Sequence, residues 1–286
     1  MGNSILHSPT AIAPEALIRS VGTADFPIVF DVRRREAYDA DTSVLPTARW
    51  RDHRAALDWG RALPSGRRIV VYCVHGHQVS LAAVSLLRSL GLDAGFLEGG
   101  IEAYRAAGGP TIRKAALPGN PQDRPSQWIT RERPKIDRIA CPWFIRRFVD
   151  REALIHYVPK DWVTATAEEI GAIPFDIPDV AFSHSGEACS FDAFLARFGL
   201  GDPALLRLAE IVRGADTARL DLAPQAAGLL AMSLGLSATH DSDEAMLERG
   251  MTLYDALYGW CRFAAEETHN WPMPPQPMAE APEYRA

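Results

Sequence analysis

Two short and nearly continuous apolar runs lie in the first part of the chain, PIVFDV (27–32) and RIVVYCV (68–74). Runs of this kind are typical of strands buried on both faces of a parallel sheet, because helices cover such a sheet on either side. Segments with helical spacing at 15–21, 51–59 and 78–92 separate and follow them. After a helix cap at Gly91, DAGFLEGG (93–100) has the pattern of another strand. The first 110 residues therefore predict an α/β domain with a parallel sheet.

The length of 286 residues favours two domains, since single cores usually stop growing within about 250 residues. Hydrophobic residues make up 47% and charged residues 23%, so each half is able to bury a core. Pro and Gly break every periodicity in RKAALPGNPQDRPSQ (113–127). We therefore predict a first domain over 1–112, a linker over 113–127, a second domain over 128–271 and a poorly ordered Pro-rich tail over 272–286.

The second half differs in kind from the first. Segments 153–159 and 179–184 have the composition of strands, whereas 202–216, 224–237 and 243–266 have the periodicity of amphipathic helices. The sequence thus predicts a mainly helical α+β domain.

Charge and targeting signals restrict the partners of the chain. The net charge of −6 disfavours a protein that coats nucleic acid or an anionic membrane through its overall field. The chain start has no basic segment followed by an apolar stretch, and no apolar run is long enough to cross a membrane. We expect a cytoplasmic protein with no membrane partner.

The sequence RIVVYC-VHGHQV-SLAAV places Cys73 between a buried strand and a helix. Loop N–H groups and the positive end of the helix dipole favour a thiolate, the form of cysteine that is nucleophilic and carries a persulfide. Gly76 permits the tight turn. The alternative is a structural cysteine buried at a strand end. The other cysteines, which form no CxxC pair, are Cys141, Cys189 and Cys261.

Four motifs resemble the rhodanese family: FDVRRREAY (30–38), LPTARW (45–50), CVHGHQVS (73–80) and FLEGGIEAYRAAGGP (96–110). The resemblance implies a doubly wound α/β domain in which Cys73 takes sulfane sulfur from a small donor as a persulfide and passes it to a thiol acceptor. The implied loop and substrate-binding residues are His75, Gly76, His77, Gln78, Ser80, Asp31 and Arg33.

Several of these residues have alternative roles. His75 and His77 either favour the thiolate when protonated or hydrogen-bond to solvent. Asp31 and Arg33 are expected to form a structural ion pair under the loop, although Arg33 is also able to face an anionic donor.

The chain departs from the family in the active-site loop, where Gln78 and Val79 stand in place of an arginine that clamps thiosulfate. A neutral Gln donates hydrogen bonds roughly half as strong as charge-assisted ones. Thiosulfate is therefore disfavoured as the donor. The same absence disfavours a phosphatase or arsenate reductase.

Basic residues are concentrated in SQWITRERPKIDRIACPWFIRRFVD (126–150). They are candidates for binding an oxyanion or DNA phosphates, or else they pair with acidic neighbours. The candidate patch consists of Arg131, Lys135, Arg138, Arg146 and Arg147. Within it, Pro142 indicates either a helix start or a kinked helix. We favour the helix start, which would place Cys141 near the N-cap and activate it.

Potential metal ligands occur in SHSGEACSFD (183–192) and nearby. A divalent metal is the candidate cofactor, with His184, Glu187, Cys189 and Asp216 as ligands. Other acidic and imidazole candidates are Asp192, Asp221, His240, Asp241, Asp243 and Glu244. The alternative is a set of helix N-caps, which the same residue types provide.

Segments WITRERPKIDRIACPWFIRRFVD, DVAFSHSGEACSFD, LAEIVRGADT and GMTLYDALYGWCRF resemble the chromate-resistance family over about residues 128–265. The resemblance implies a role in chromate resistance or its regulation, with chromate as the candidate oxyanion. Two hypotheses follow: an enzyme that relays sulfur through Cys73, or a chromate-responsive transcriptional regulator that binds DNA and carries a non-catalytic rhodanese module.

Overall fold

The computed structural model describes residues 10–119 and 124–267. Its first region contains a five-stranded, wholly parallel sheet in the order β1-β6-β5-β2-β4. The strands are β1 (Ala11–Ile12), β2 (Ile28–Asp31), β4 (Arg49–Trp50), β5 (Ile69–Tyr72) and β6 (Ala94–Leu97). An antiparallel ribbon joins β3 (Ser43–Val44) to β7 (Ile112–Arg113). The parallel sheet predicted from the apolar runs is confirmed.

Helices cover both faces of this sheet. They are α1 (Pro14–Ser20), α2 (Arg35–Ala40), α3 (Ala56–Gly60), α4 (Gln78–Ser89) and α5 (Gly100–Ala106). The apolar side chains of α1 and α5 belong to one core, and those of α3 and α4 belong to a second core. Separate cores on opposite faces are what a doubly wound α/β domain requires.

The second region has a three-stranded parallel sheet in the order β10-β8-β9, with β8 at Gln127–Arg131, β9 at Leu154–Val158 and β10 at Ile173–Pro174. The strand predicted at 153–159 is confirmed as β9. The strand predicted at 179–184 is wrong, because only an isolated bridge between Phe175 and Phe182 forms there. Asp179 has a φ of 62°, in the left-handed region that an extended strand excludes.

Within residues 124–267, six α-helices accompany this sheet: α6 (Asp137–Phe144), α7 (Val163–Ile170), α8 (Ser190–Phe198), α9 (Pro203–Asp216), α10 (Ala226–Thr239) and α11 (Asp243–Gly259). Helices α6 and α11 continue as π-helical turns at Ile145–Val149 and Trp260–Ala264. The three predicted helices correspond to α9, α10 and α11, and the mainly helical α+β domain is confirmed. The predicted tail at 272–286 and part of the predicted linker lie outside the described residues.

The helix start predicted at Pro142 is wrong, since α6 begins at Asp137 and contains Pro142 in its interior. A proline has no N–H to donate to the carbonyl oxygen four residues earlier, which belongs to Arg138. The Tyr157 hydroxyl donates to that oxygen at 2.8 Å and replaces the missing bond. Cys141 is consequently a fully buried helix-interior residue, and burial raises the pKa of its thiol well above the usual value.

The two regions share one hydrophobic core. At Gly22, a Cβ atom would lie 2.5 Å from the Tyr258 ring and 2.6 Å from the Phe148 ring, so a glycine is needed for this close approach. The Arg262 guanidinium donates to the carbonyl oxygens of Ile18 and Val21 at 3.0 and 2.9 Å. The first and second regions therefore pack as one body. Among the described residues, none of the helices combines the length and apolarity needed to span a bilayer.

Candidate functional site

Cys73 directly follows β5, at the carboxyl edge of the parallel sheet, and a loop connects it to α4. Its side chain is 7% exposed. Among the described residues, the backbone N–H groups of residues 74–80 have no protein acceptor. The last of these belong to the first turn of α4, where the helix dipole adds positive potential. The loop is therefore suited to hold negative charge beside a cysteine.

The start of α5 holds this loop in place. The N–H groups of Ile101 and Glu102 donate to the carbonyl oxygens of Cys73 and Val74 at 3.0 and 3.3 Å. Gly76 has a φ of 68°, and a Cβ there would lie 2.5 Å from the Leu97 carbonyl oxygen. A Cβ on Gly100 would lie 2.4 Å from the Cys73 carbonyl oxygen. Because the loop and α5 meet backbone to backbone, both positions require glycine.

The predicted loop residues follow Cys73 directly in the sequence: His75, Gly76, His77, Gln78 and Ser80. His75 Nδ1 is 3.1 Å from a Glu102 carboxylate oxygen, and the two histidine rings are 6.0 Å apart. The side chain of Gln78 is exposed, whereas the Ser80 hydroxyl is buried and has no hydrogen-bond partner in the described residues.

Asp31 and Arg33 form the structural ion pair that the sequence predicts, with 2.6 Å between Arg33 Nη2 and Asp31 Oδ2. Arg33 also contacts Asp41 at 2.6 Å and is only 1% exposed. The Tyr72 hydroxyl donates to the Asp31 carboxylate at 2.8 Å. These contacts anchor β2 to β5 beneath the loop.

An arginine-lined cavity of about 590 Å³ lies at the ends of β2 and β4. Strand β2 neighbours β5, since the Val32 N–H donates to the Tyr72 carbonyl oxygen at 2.9 Å. The Arg34 side chain has no ion-pair or hydrogen-bond partner in the described part of the chain. The lining consists of Arg33, Arg34, Arg35, Glu36, Trp50, Asp52, His53 and Arg54. The three consecutive arginines after β2 are a sequence signal from which this cavity could have been predicted.

A second cluster, which we call the carboxylate–histidine cluster, contains Asp137, Asp176, His184 and Asp216. His184 Nε2 lies 3.5 Å from Asp137 Oδ2, 3.3 Å from Asp176 Oδ1 and 3.3 Å from Asp216 Oδ2. Asp137 begins α6 and Asp216 ends α9. Ser190 fixes two members, because its N–H donates to Asp137 at 2.6 Å and its hydroxyl donates to Asp176 at 2.8 Å.

Burial dominates the electrostatics of the cluster. Burial, and next the charges of Asp216 and Asp176, raise the pKa of the Asp137 carboxyl well above its usual value. Burial and the charge of Asp176 likewise raise the pKa of Asp216. Arg131 contacts Asp176 Oδ2 at 2.8 Å, and Arg138 Nε lies 3.4 Å from the same oxygen.

The structure brings together two of the four predicted metal ligands, His184 and Asp216. Glu187 is 92% exposed and lies 3.9 Å from Arg219. Cys189 is the N-cap of α8, and Asp192 accepts a hydrogen bond from its N–H at 2.9 Å, as the capping alternative expects. Asp137 and Asp176, which complete the cluster, were missed because nothing in their local sequence marks them.

The other candidates occupy separate places. Arg146 pairs with Glu248 and Arg147 with Asp255, at 2.8 and 2.7 Å, while Lys135 has no ion-pair partner among the described residues. The remaining acidic and imidazole candidates lie at helix ends or on the surface: Asp221 pairs with Arg219, His240 ends α10, and Asp241, Asp243 and Glu244 surround the start of α11.

Comparison with known proteins agrees with this division. A model of the rhodanese-like domain matches residues 13–107, and a model of the ChrB C-terminal domain matches residues 128–261. Protein ChrB of Cupriavidus metallidurans is 34% identical over 133 residues, which cover 46% of this chain and 40% of that protein.

Solved structures similar to this chain include a rhodanese-related protein of Thermoplasma volcanium, with 24% identity and a TM-score of 0.32 over 36% of this chain and 96% of its own. A rhodanese-like domain protein of Staphylococcus aureus has 22% identity and a TM-score of 0.30 over 33% of this chain and 90% of its own.

Residues 13–107, which contain the Cys73 loop and strands β2, β4, β5 and β6, thus match the rhodanese-like domain. Residues 128–261 of the same chain match the ChrB C-terminal domain.

Proposed function

We propose that this protein carries sulfane sulfur as a persulfide on Cys73 and transfers it to a thiol. The observation that supports this most strongly is that the N–H groups of residues 74–80, in the loop that follows Cys73, have no acceptor in the described part of the chain. Such groups stabilise a thiolate and also the negative charge of a bound persulfide. A structural cysteine at a strand end needs no such loop.

The transfer needs no external oxidant or reductant. The Cys73 thiolate attacks the outer sulfur of a donor R–S–SH, so a new S–S bond forms and the donor S–S bond breaks. The electron pair of the broken bond leaves with the R–S⁻ thiolate. An acceptor thiolate then attacks the outer sulfur of Cys73–S–SH, giving a new persulfide and restoring the Cys73 thiolate.

The donor that fits this site is an organic persulfide rather than thiosulfate. Gln78 supplies no positive charge in the loop, so a dianion has no clamp there. We propose that a carboxylate of an organic donor binds instead in the arginine-lined cavity at the end of β2, the strand next to β5, where Arg34 has no described ion-pair partner. The acceptor is a small thiol.

The biological role that we propose is chromate resistance. This rests on the match of residues 128–261 to the ChrB C-terminal domain and on the 34% identity to Protein ChrB, of which the aligned part covers 40%. The shared core supports a single functional unit, because the rhodanese-like domain packs against the second region and is not joined to it by a linker alone.

The experiment is intact-protein mass spectrometry after incubation with glutathione persulfide and removal of excess donor. The wild type is expected to gain about 32 Da, one sulfur atom, and to lose it on addition of a thiol. Cys73→Ser should gain nothing, while Cys261→Ser should behave as the wild type. A wild type without the adduct, or a Cys73→Ser variant that retains it, would contradict the proposal.

A further inference from the structure

We infer that the carboxylate–histidine cluster binds one divalent transition-metal cation, with Asp137, His184 and Asp216 as its direct ligands and Asp176 behind them. This site is separate from Cys73, and the inference does not depend on the sulfur-transfer proposal.

The spacing of the ligand atoms fits one ion. One nitrogen or oxygen atom from each of Asp137, His184 and Asp216 lies within 4.8 Å of the others. Around an ion bound at about 2.1 Å with tetrahedral geometry, ligand atoms lie roughly 3.4 Å apart. His184 Nε2 lies 3.5 Å from Asp137 Oδ2 and 3.3 Å from Asp216 Oδ2. The two separations from His184 are therefore close to those of ligands around one ion, and the third is at most 4.8 Å.

Two carboxylates of the cluster lack a compensating positive charge, so the cluster favours a divalent cation. Asp176 is compensated, because Arg131 and Arg138 both contact its Oδ2 atom. Asp137 and Asp216 have no arginine or lysine within ion-pair distance among the described residues. Two carboxylates without a compensating cation repel one another in a buried site, and a divalent ion neutralises both.

An unsatisfied carboxylate oxygen points independently to a ligand. Asp137 is 1% exposed, and its Oδ1 atom is buried without a hydrogen-bond partner in the described residues. Buried carboxylate oxygens nearly always have a partner, because an unpaired one loses its hydration without replacement. The raised pKa of Asp137 agrees with this cost. A bound cation supplies the partner that the protein does not.

The donor set selects the class of ion. One imidazole nitrogen with carboxylate oxygens suits Mn²⁺, Fe²⁺ or Zn²⁺ rather than a soft ion such as Cu⁺. Burial is the main cause that raises the pKa of the nearby Cys189 thiol. It is therefore unsuited to act as a thiolate ligand. His184 is 41% exposed, which gives an ion a path to the buried Asp137 from solvent.

The test uses the full chain, treated with EDTA, dialysed and titrated with MnCl₂ by calorimetry and by electron paramagnetic resonance. We expect one Mn²⁺ per chain, and displacement of the Mn²⁺ by Zn²⁺, which binds more tightly at a nitrogen-containing site. His184→Gln and Asp216→Asn should each weaken Mn²⁺ binding by about 10-fold or more. Glu187→Gln, an exposed change in the same loop, should leave it unchanged.

His184→Gln keeps the inference testable if Asp216→Asn folds poorly, because the His184 side chain is partly exposed. Circular dichroism and urea unfolding report whether each variant is folded. The inference is overturned if the wild type binds no stoichiometric Mn²⁺, or if folded His184→Gln binds it as tightly as the wild type does.

Discussion

The Cys73 loop and the carboxylate–histidine cluster are opposites in construction and in charge. The loop is one contiguous stretch closed by the start of α5, and it presents backbone N–H groups that favour an anion. The cluster draws Asp137, Asp176, His184 and Asp216 from separate parts of the second region, and it presents carboxylates that favour a cation. Local backbone geometry makes the first site, whereas tertiary packing makes the second.

The strongest way to break the loop without touching Cys73 is Gly100→Ala. The new Cβ would lie 2.4 Å from the carbonyl oxygens of both Cys73 and Val74, at a φ of 61°. Because a displacement of about 1 Å is able to cost 100-fold in rate, we expect sulfur transfer to fall by at least that factor.

Gly91→Ala is the matched control for that substitution. Gly91 has a φ of 79°, but nothing lies within 4 Å of its Cβ position. It should cost about 1 kcal/mol of unfolding free energy and leave transfer unchanged. Equal transfer rates in Gly100→Ala and Gly91→Ala would show that the contact with α5 does not shape the loop.

Asp137→Asn tests the cluster. We predict that its effects on the free energy of unfolding have opposite signs with and without metal. In metal-free protein, at a pH above the raised pKa of the Asp137 carboxyl, the change removes a buried negative charge beside Asp216 and should stabilise the fold by about 1 kcal/mol. With Mn²⁺ at about 100 times its dissociation constant, the wild type should gain roughly 2.7 kcal/mol that the variant does not. Urea unfolding with and without MnCl₂ measures both changes in the free energy of unfolding. A variant that is less stable than the wild type in EDTA would contradict the electrostatic account.

The contrast between the sites also explains what the sequence could predict. Continuous apolar runs, Gly76 and the following helix are local signals, so the parallel sheet and the Cys73 loop were predictable. Asp137 and Asp176 carry no local signal, because only the packing of α6, α9 and the loop after β10 brings them to His184. The helix start predicted at Pro142 is wrong for the same reason. The Tyr157 hydroxyl, which donates to the Arg138 carbonyl oxygen in place of the missing proline N–H, comes from strand β9.

The smallest expected effect concerns the arginine-lined cavity. Arg34→Ala should slow transfer from glutathione persulfide, whose carboxylates are negative, by roughly 5-fold, and salt should reduce the difference. Transfer from the persulfide of cysteamine, which has no carboxylate, should not change. Arg61→Ala, at an exposed arginine that does not line this cavity, is the control. Equal slowing of transfer from both donors would show that the cavity does not bind the carboxylates of the donor.

The most direct test of the account is the rate at which each cysteine reacts with iodoacetamide at pH 6, resolved by peptide mass spectrometry. All four cysteines are buried, and burial raises the pKa of Cys261 to about 11. If the loop stabilises a thiolate, Cys73 should be alkylated at least about 10-fold faster than Cys141, Cys189 and Cys261 in the folded protein. A Cys73 rate no higher than that of Cys261 would contradict the central claim.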